Sequence, residues 1–92
     1  MSIKFTEEFY FLLNEIVDFI ATDKPLAARK FKKNLITSIK KDLKSPYNYK
    51  KSIYFDDIIY RDYVFKGYTI TCKVHEDGYV IILGIIKNKN TY

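Results

Sequence analysis

Apolar residues at Phe9, Leu12, Leu13, Ile16, Val17 and Ile20 recur at spacings of three and four, which puts them on one face of a helix. Thr6 offers a capping hydroxyl just before that run, and Glu7 and Glu8 place acids in the first turn, where the helix dipole favours them. Asp23, Lys24 and Pro25 interrupt the stripe. Proline loses nothing in the first turn of a helix, because its missing N–H would have no intrahelical acceptor there. The break is therefore also a restart, and Ala28, Phe31, Leu35, Ile39 and Leu43 give a second helix its apolar face. So short a connection makes the pair an antiparallel hairpin. Ser45-Pro46 closes the second helix, since proline disfavours helical backbone in the residue before it.

Beyond Pro46 the period changes. Residues 47–57 read as an irregular, tyrosine-rich connection, and Ile58–Phe65, Tyr68–Val74 and Tyr79–Ile86 then read as strands. Lys66-Gly67 and Glu76-Asp77-Gly78 separate them, each with a glycine suited to the positive φ of a tight hairpin. Strands joined in this way form an antiparallel meander. Val80–Leu83, apolar on both faces, suits its most buried strand. Ser2–Phe5, with Ile3 and Phe5 on one face, predicts a short extra strand. The predicted fold is α+β in the order β-α-α-β-β-β, a single domain over residues 1–92: N-terminal short strand, antiparallel helical hairpin, then three-stranded antiparallel meander. The helices lie on one side of the sheet.

Ninety-two residues leave little room for a deep pocket, because a chain this short buries only about 60–65% of its unfolded surface. No unbroken apolar run reaches transmembrane length, and no basic region followed by an apolar core opens the chain, so a cytoplasmic protein with no membrane partner is expected. A single cysteine, Cys72, fits a reducing compartment.

The net charge of +5 is unevenly spread. Residues 24–51 carry Lys24, Arg29, Lys30, Lys32, Lys33, Lys40, Lys41, Lys44, Lys50 and Lys51 against one acid, Asp42, whereas the first 23 residues are acidic. On a helix, Arg29, Lys33, Lys40 and Lys44 fall within roughly 60° of one another, away from the apolar face. Such a stripe suits a phosphate-rich or acidic partner, and a basic nucleic-acid-binding module is one reading. The plain alternative is a solvated face, although a face shaped only for solubility usually mixes its signs.

Catalytic chemistry has few footholds. Cys72 and His75 form a C-x-x-H pair with no further Cys or His, too few ligands for a closed zinc site, so neither a metal nor another cofactor is called for. The nucleophile elbow, the phosphate-binding glycine loop and the dinucleotide fingerprint are all missing. What remains is a set of cations and donors, Lys50, Lys51, Arg61, Lys73, Lys87, Lys89 and Tyr92, able to bind phosphate or to steady a charged transition state without a metal.

Lys24–Pro46 ("KPLAARKFKKNLITSIKKDLKSP"), Tyr60–Val74 ("YRDYVFKGYTITCKV") and Asp77–Asn90 ("DGYVIILGIIKNKN") together resemble the RelE/ParE superfamily of bacterial toxins over nearly the whole chain. The resemblance implies a growth-inhibiting toxin of a type II toxin–antitoxin system, linked to plasmid stabilisation, and neutralised in a hetero-oligomer with a cognate antitoxin. Many members leave the last strand with a histidine and, three residues on, an arginine; here Lys87 and Asn90 stand there. Members that cleave messenger RNA on the ribosome often carry an arginine where this chain has Thr69. Arg61 matches a common family arginine that often anchors the sheet. These departures resemble the ParE branch, which implies a protein target such as DNA gyrase. The alternative is a ribosome-dependent messenger RNA endoribonuclease, for which Arg61, Lys87, Lys89 and Tyr92 are the catalytic candidates. Arg29, Lys33, Lys40, Lys44, Lys50 and Lys51 are the target- or phosphate-binding candidates.

The sequence leaves the orientation of Arg61 open. A two-residue Lys66-Gly67 turn pairs Arg61 with Cys72 and turns it toward the core. A three-residue turn pairs it with Thr71 and turns it to the open face.

Overall fold

Thr6 does two jobs at the start of the first helix. Its hydroxyl accepts a hydrogen bond from the Phe9 N–H at 3.0 Å and donates to the Ile82 carbonyl at 2.9 Å, so one side chain caps the helix and fastens it to a strand. The computed structural model describes residues 1–89. In it β1 (Ser2–Phe5) leads to helices α1 (Glu7–Ala21) and α2 (Pro25–Asp42). A 3₁₀ turn at Pro46–Asn48 and the two-residue strand β2 (Lys50–Lys51) follow, then β3 (Tyr60–Phe65), β4 (Tyr68–Val74) and β5 (Tyr79–Lys87).

The five strands form one sheet in the order β1-β5-β4-β3-β2. β1 runs parallel to β5, and every other pairing is antiparallel. β5 is thus an interior strand, as its doubly apolar sequence predicts. The layout is the expected β-α-α-β-β-β order. Its one addition is β2, which lies inside the stretch read as irregular, pairing Lys50 with Asp62 and Lys51 with Arg61.

The core sits between the hairpin and one sheet face. Phe9 and Leu13 from α1 and Leu35 and Ile39 from α2 meet Tyr63, Ile70, Cys72, Val80, Ile82 and Ile85 from the sheet. Leu43, one residue beyond α2, completes it. Phe31 lies against Phe65 and Tyr68, with ring centroids 6.1 and 5.2 Å away. On the opposite sheet face the 53–58 loop folds back, and Phe55 stacks on Tyr60 at 3.9 Å.

The β3–β4 turn is the two-residue one, with Lys66 at φ 46° and Gly67 at φ 85°. Positive φ at both central residues is what a type I′ hairpin needs to match strand twist. Arg61 therefore pairs with Cys72, on the core-facing side.

Candidate functional site

Arg61 stands near the start of β3, under the chain that leaves α2. Its Nε donates to the Ile58 carbonyl at 2.9 Å and its Nη1 to the Tyr49 carbonyl at 3.1 Å. The guanidinium also lies over the Tyr47 ring, 4.7 Å from its centroid. Two backbone carbonyls and an aromatic face thus occupy this cation. It ties both ends of the 49–58 segment to the sheet.

The other catalytic candidates stand elsewhere. Lys87 ends β5, paired with Tyr68 beside the Lys66-Gly67 turn, and is exposed, as is Lys89. Four residue steps along β4 and two strand spacings separate Lys87 from Arg61, a backbone distance of roughly 16 Å. Asn90 and Tyr92 lie outside the described residues. Thr69 is buried, and its hydroxyl donates to Asn88 Oδ1 at 2.6 Å, so a neutral hydrogen bond fills the space between β4 and the exit from β5. Among the described residues the catalytic candidates are not gathered into one site.

Arg29, Lys33, Lys40 and Lys44 are all exposed, along the outer face of α2 and the turn after it. Lys30 and Lys41 widen the stripe. Among the described residues none of these cations forms an ion pair with a carboxylate. Lys32 differs: its Nζ donates to Asn14 Oδ1 at 2.8 Å and crosses the hairpin. Lys50 and Lys51 are exposed on the far edge of the sheet, and Lys51 Nζ meets Asp56 Oδ1 at 3.3 Å. The binding candidates therefore form two separate groups, the α2 face and the β2 edge.

Asp42, the one acid of the basic segment, has a structural explanation that the sequence did not signal. The Tyr63 hydroxyl donates to its Oδ2 at 2.5 Å, joining the last residue of α2 to β3. Burial, first, and then the Asp42 carboxylate hold the Tyr63 phenol well above its ordinary range. Tyr49 packs edge-on against Tyr63 at 5.1 Å, so the Arg61 and Asp42 anchors share one wall. Burial likewise pushes the Cys72 thiol up to about 11, the state of an inert core residue. His75 accepts from the Asp77 N–H at 3.1 Å through Nδ1 and stacks on Tyr79 at 4.4 Å, as a turn residue does. Among the described residues no three His, Cys, Asp or Glu side chains gather as a metal site.

A second feature escaped sequence reasoning because its residues follow no period. Ile53, Ile58, Val64 and Ile86 are 84%, 64%, 64% and 50% exposed. Ile53 and Ile58 lie in the 53–58 loop, and Val64 of β3 and Ile86 of β5 both pair with Thr69, so apolar surface is left open on the loop and on the sheet face away from the helices.

Comparison with known proteins places this geometry. A family model described as the ParE toxin of type II toxin–antitoxin system, parDE, matches residues 3–92. Among solved structures, a chain of the chromosomal ParDE toxin–antitoxin system from P. aeruginosa superposes with a TM-score of 0.77. It is 20% identical, and the alignment covers 97% of each chain. No curated protein sequence matches. Among the described residues no helix is long and apolar enough to cross a membrane.

Proposed function

The chain belongs to the ParE toxin family of type II toxin–antitoxin systems, and from that premise we propose that it works by binding a protein target, DNA gyrase, without doing chemistry itself. Its partner in the resting state is a cognate antitoxin, bound as a hetero-oligomer in the cytoplasm. The observation that carries the reading is the state of Arg61. A catalytic cation must be free to meet a phosphate as charge develops on it, and preorganised donors act by pointing at that position. Arg61 instead points its donors at two backbone carbonyls of its own chain. Thr69, at the position where the resemblance implies arginine in ribosome-dependent nucleases, is buried and closed by Asn88.

The ribonuclease reading keeps Lys87 and Lys89 as exposed cations, with Tyr92 as a proton donor. Lys87 shares an open pocket with Glu15 and Tyr68, while Arg61, the family's common arginine, is tied up elsewhere in the sheet. Induction of the free chain separates the two readings. Inhibition of purified gyrase, with a DNA damage response and unchanged messenger RNA 5′ ends, is the expected result. Codon-phased cleavage within minutes and untouched gyrase supercoiling would overturn it.

A further inference from the structure

The outer face of the helical hairpin is divided by charge. α1 shows solvent an acidic row, Glu7, Glu8, Glu15 and Asp18, and α2 beside it shows its cations. The helical period turns both rows away from the sheet rather than toward each other. Among the described residues no ion pair joins them. The rows are also in step. Ala21 and Pro25 flank the hairpin turn and Lys32 reaches Asn14 at 2.8 Å, and both fix the same level of one helix against the other. Counted from there, Asp18 and Glu15 stand level with positions 28 and 31 of α2, and Glu8 and Glu7 with positions 38 and 39. The cations fall into matching groups: Arg29, Lys30 and Lys33, then Lys40 and Lys41. Phe11, 62% exposed, lies in the gap between the acidic groups, level with position 35.

We propose that two copies of this chain pair through this face, about a two-fold axis parallel to the helices, so that α1 of each copy lies on α2 of the other. The inference goes beyond the toxin reading and needs no part of it. Such an axis keeps every residue at its level, and the interface is self-complementary. Each acidic group then meets the matching cationic group of the other copy. Phe11 falls between Lys33 and Thr37 of the facing helix, where a lysine stem can cover the ring. The product is a four-helix bundle with a sheet on either side. α1 is about 22 Å long and the two helices together are about 20 Å wide, so the pair covers about 900 Å² in all. That is the low end for a specific interface, so the pairing is transient and held mainly by charge. A DNA duplex fits this face less well, because its phosphates would meet the acidic row of α1 beside the cations.

Sedimentation velocity of the full chain at low salt, from about 5 µM to about 500 µM, should show monomer giving way to dimer, and about 0.5 M salt should restore the monomer. The reversal R29E/K33E should weaken pairing by roughly tenfold or more, and so should E15K/D18K, since each sets like charges opposite one another on both sides of the axis. The two variants mixed should pair with each other, because each supplies the charge that the other has reversed. A single chain carrying all four reversals should pair with itself. These side chains are exposed and the helix dipoles favour both changes, so far-UV circular dichroism should match the parent. In a mixture of labelled and unlabelled parent chains, isotope-filtered NOEs should join Phe11 of one copy to Thr37 of the other.

A parent that stays monomeric at the highest concentration, a dimer indifferent to either reversal, or variants that fail to pair on mixing would overturn the proposal. So would a dimer whose intermolecular NOEs lie along β1 or β2, or a parent that binds duplex DNA through Arg29 and Lys33 and does not self-associate. None of these measurements uses growth or gyrase, so the toxin reading and the pairing stand or fall separately.

Discussion

Arg61 and the outer face of α2 use the same charge in opposite ways. At the start of β3 one guanidinium has its donors on two carbonyls and its face on an aromatic ring. Along α2 and the turn after it six exposed cations, Arg29, Lys30, Lys33, Lys40, Lys41 and Lys44, meet no carboxylate among the described residues. A cation with fixed donors holds a fold together. A cation without them adds little to the fold, and neutralising it should cost little stability. The contrast assigns stability to the first region, and we propose recognition as the role of the second.

The sharpest way to break that contrast is Arg61→Ala. The substitution strips the donors from the Tyr49 and Ile58 carbonyls and removes the contact with Tyr47. Hydrogen bonds from a charged donor contribute about 1.5–3 kcal/mol each, less where water can substitute. Ile58 is largely exposed, so a loss of about 2 kcal/mol is expected, or roughly 10 °C in Tm for a domain of this size. Arg61→Lys should recover only part of it, because an ammonium lacks the planar fork that spans both carbonyls. If Arg61→Ala melts like the parent yet abolishes growth inhibition, Arg61 belongs with the functional cations and the contrast fails.

How much of this was legible beforehand differs between the two regions for a physical reason. The hairpin announces itself through the 3.6-residue period and Pro25, so α1, α2 and the cation stripe follow directly. The meander follows from alternation and from Gly67 and Gly78. Arg61 is different, because its surroundings hang on a turn whose first central residue is lysine at positive φ. Residue type does not signal that conformation, and a one-residue slip would have exchanged the faces. β2 was hidden because two residues carry no period. The role of Asp42 was hidden because its partner, Tyr63, is 21 residues away in sequence.

Tyr63→Phe sharpens the same contrast at intermediate size. It leaves the half-buried Asp42 carboxylate without its donor and should cost about 1–2 kcal/mol at neutral pH. The pH dependence has a definite sign. The folded state holds the Tyr63 proton more tightly than the unfolded chain does, so stability from this source is full below about pH 10 and declines as pH rises above it. Cys72 acts in the same direction but earlier, between its ordinary 9.0 and about 11. Denaturant melts at stepped alkaline pH should show the parent weakening from about pH 9 onward. Cys72→Ala should delay that onset, and Tyr63→Phe should flatten the decline above pH 10. A parent whose stability is level to pH 11 would rule out this account of both groups.

The smallest effects are expected on α2, where position along the helix sets the sign. Arg29 and Lys30 lie in the first turns, near the positive end of the macrodipole, and Arg29 stands four residues from Lys33 on the same face. Both circumstances are unfavourable, each by a few tenths of a kcal/mol. Alanine also has at least as high a helix propensity as arginine. Arg29→Ala should therefore leave stability unchanged or raise it by roughly 0.5 kcal/mol. Lys40 lies in the last turn, where the dipole favours a cation, and its repulsion from Lys44 offsets that gain. Lys40→Ala should fall within about 0.3 kcal/mol of the parent. Raising salt should shrink the Arg29→Ala gain, since its electrostatic part acts between exposed groups and is screened. A loss above about 1 kcal/mol for either variant would mean that the stripe is built into the fold. The proposal that its lysines are kept for a partner would then lose its physical basis.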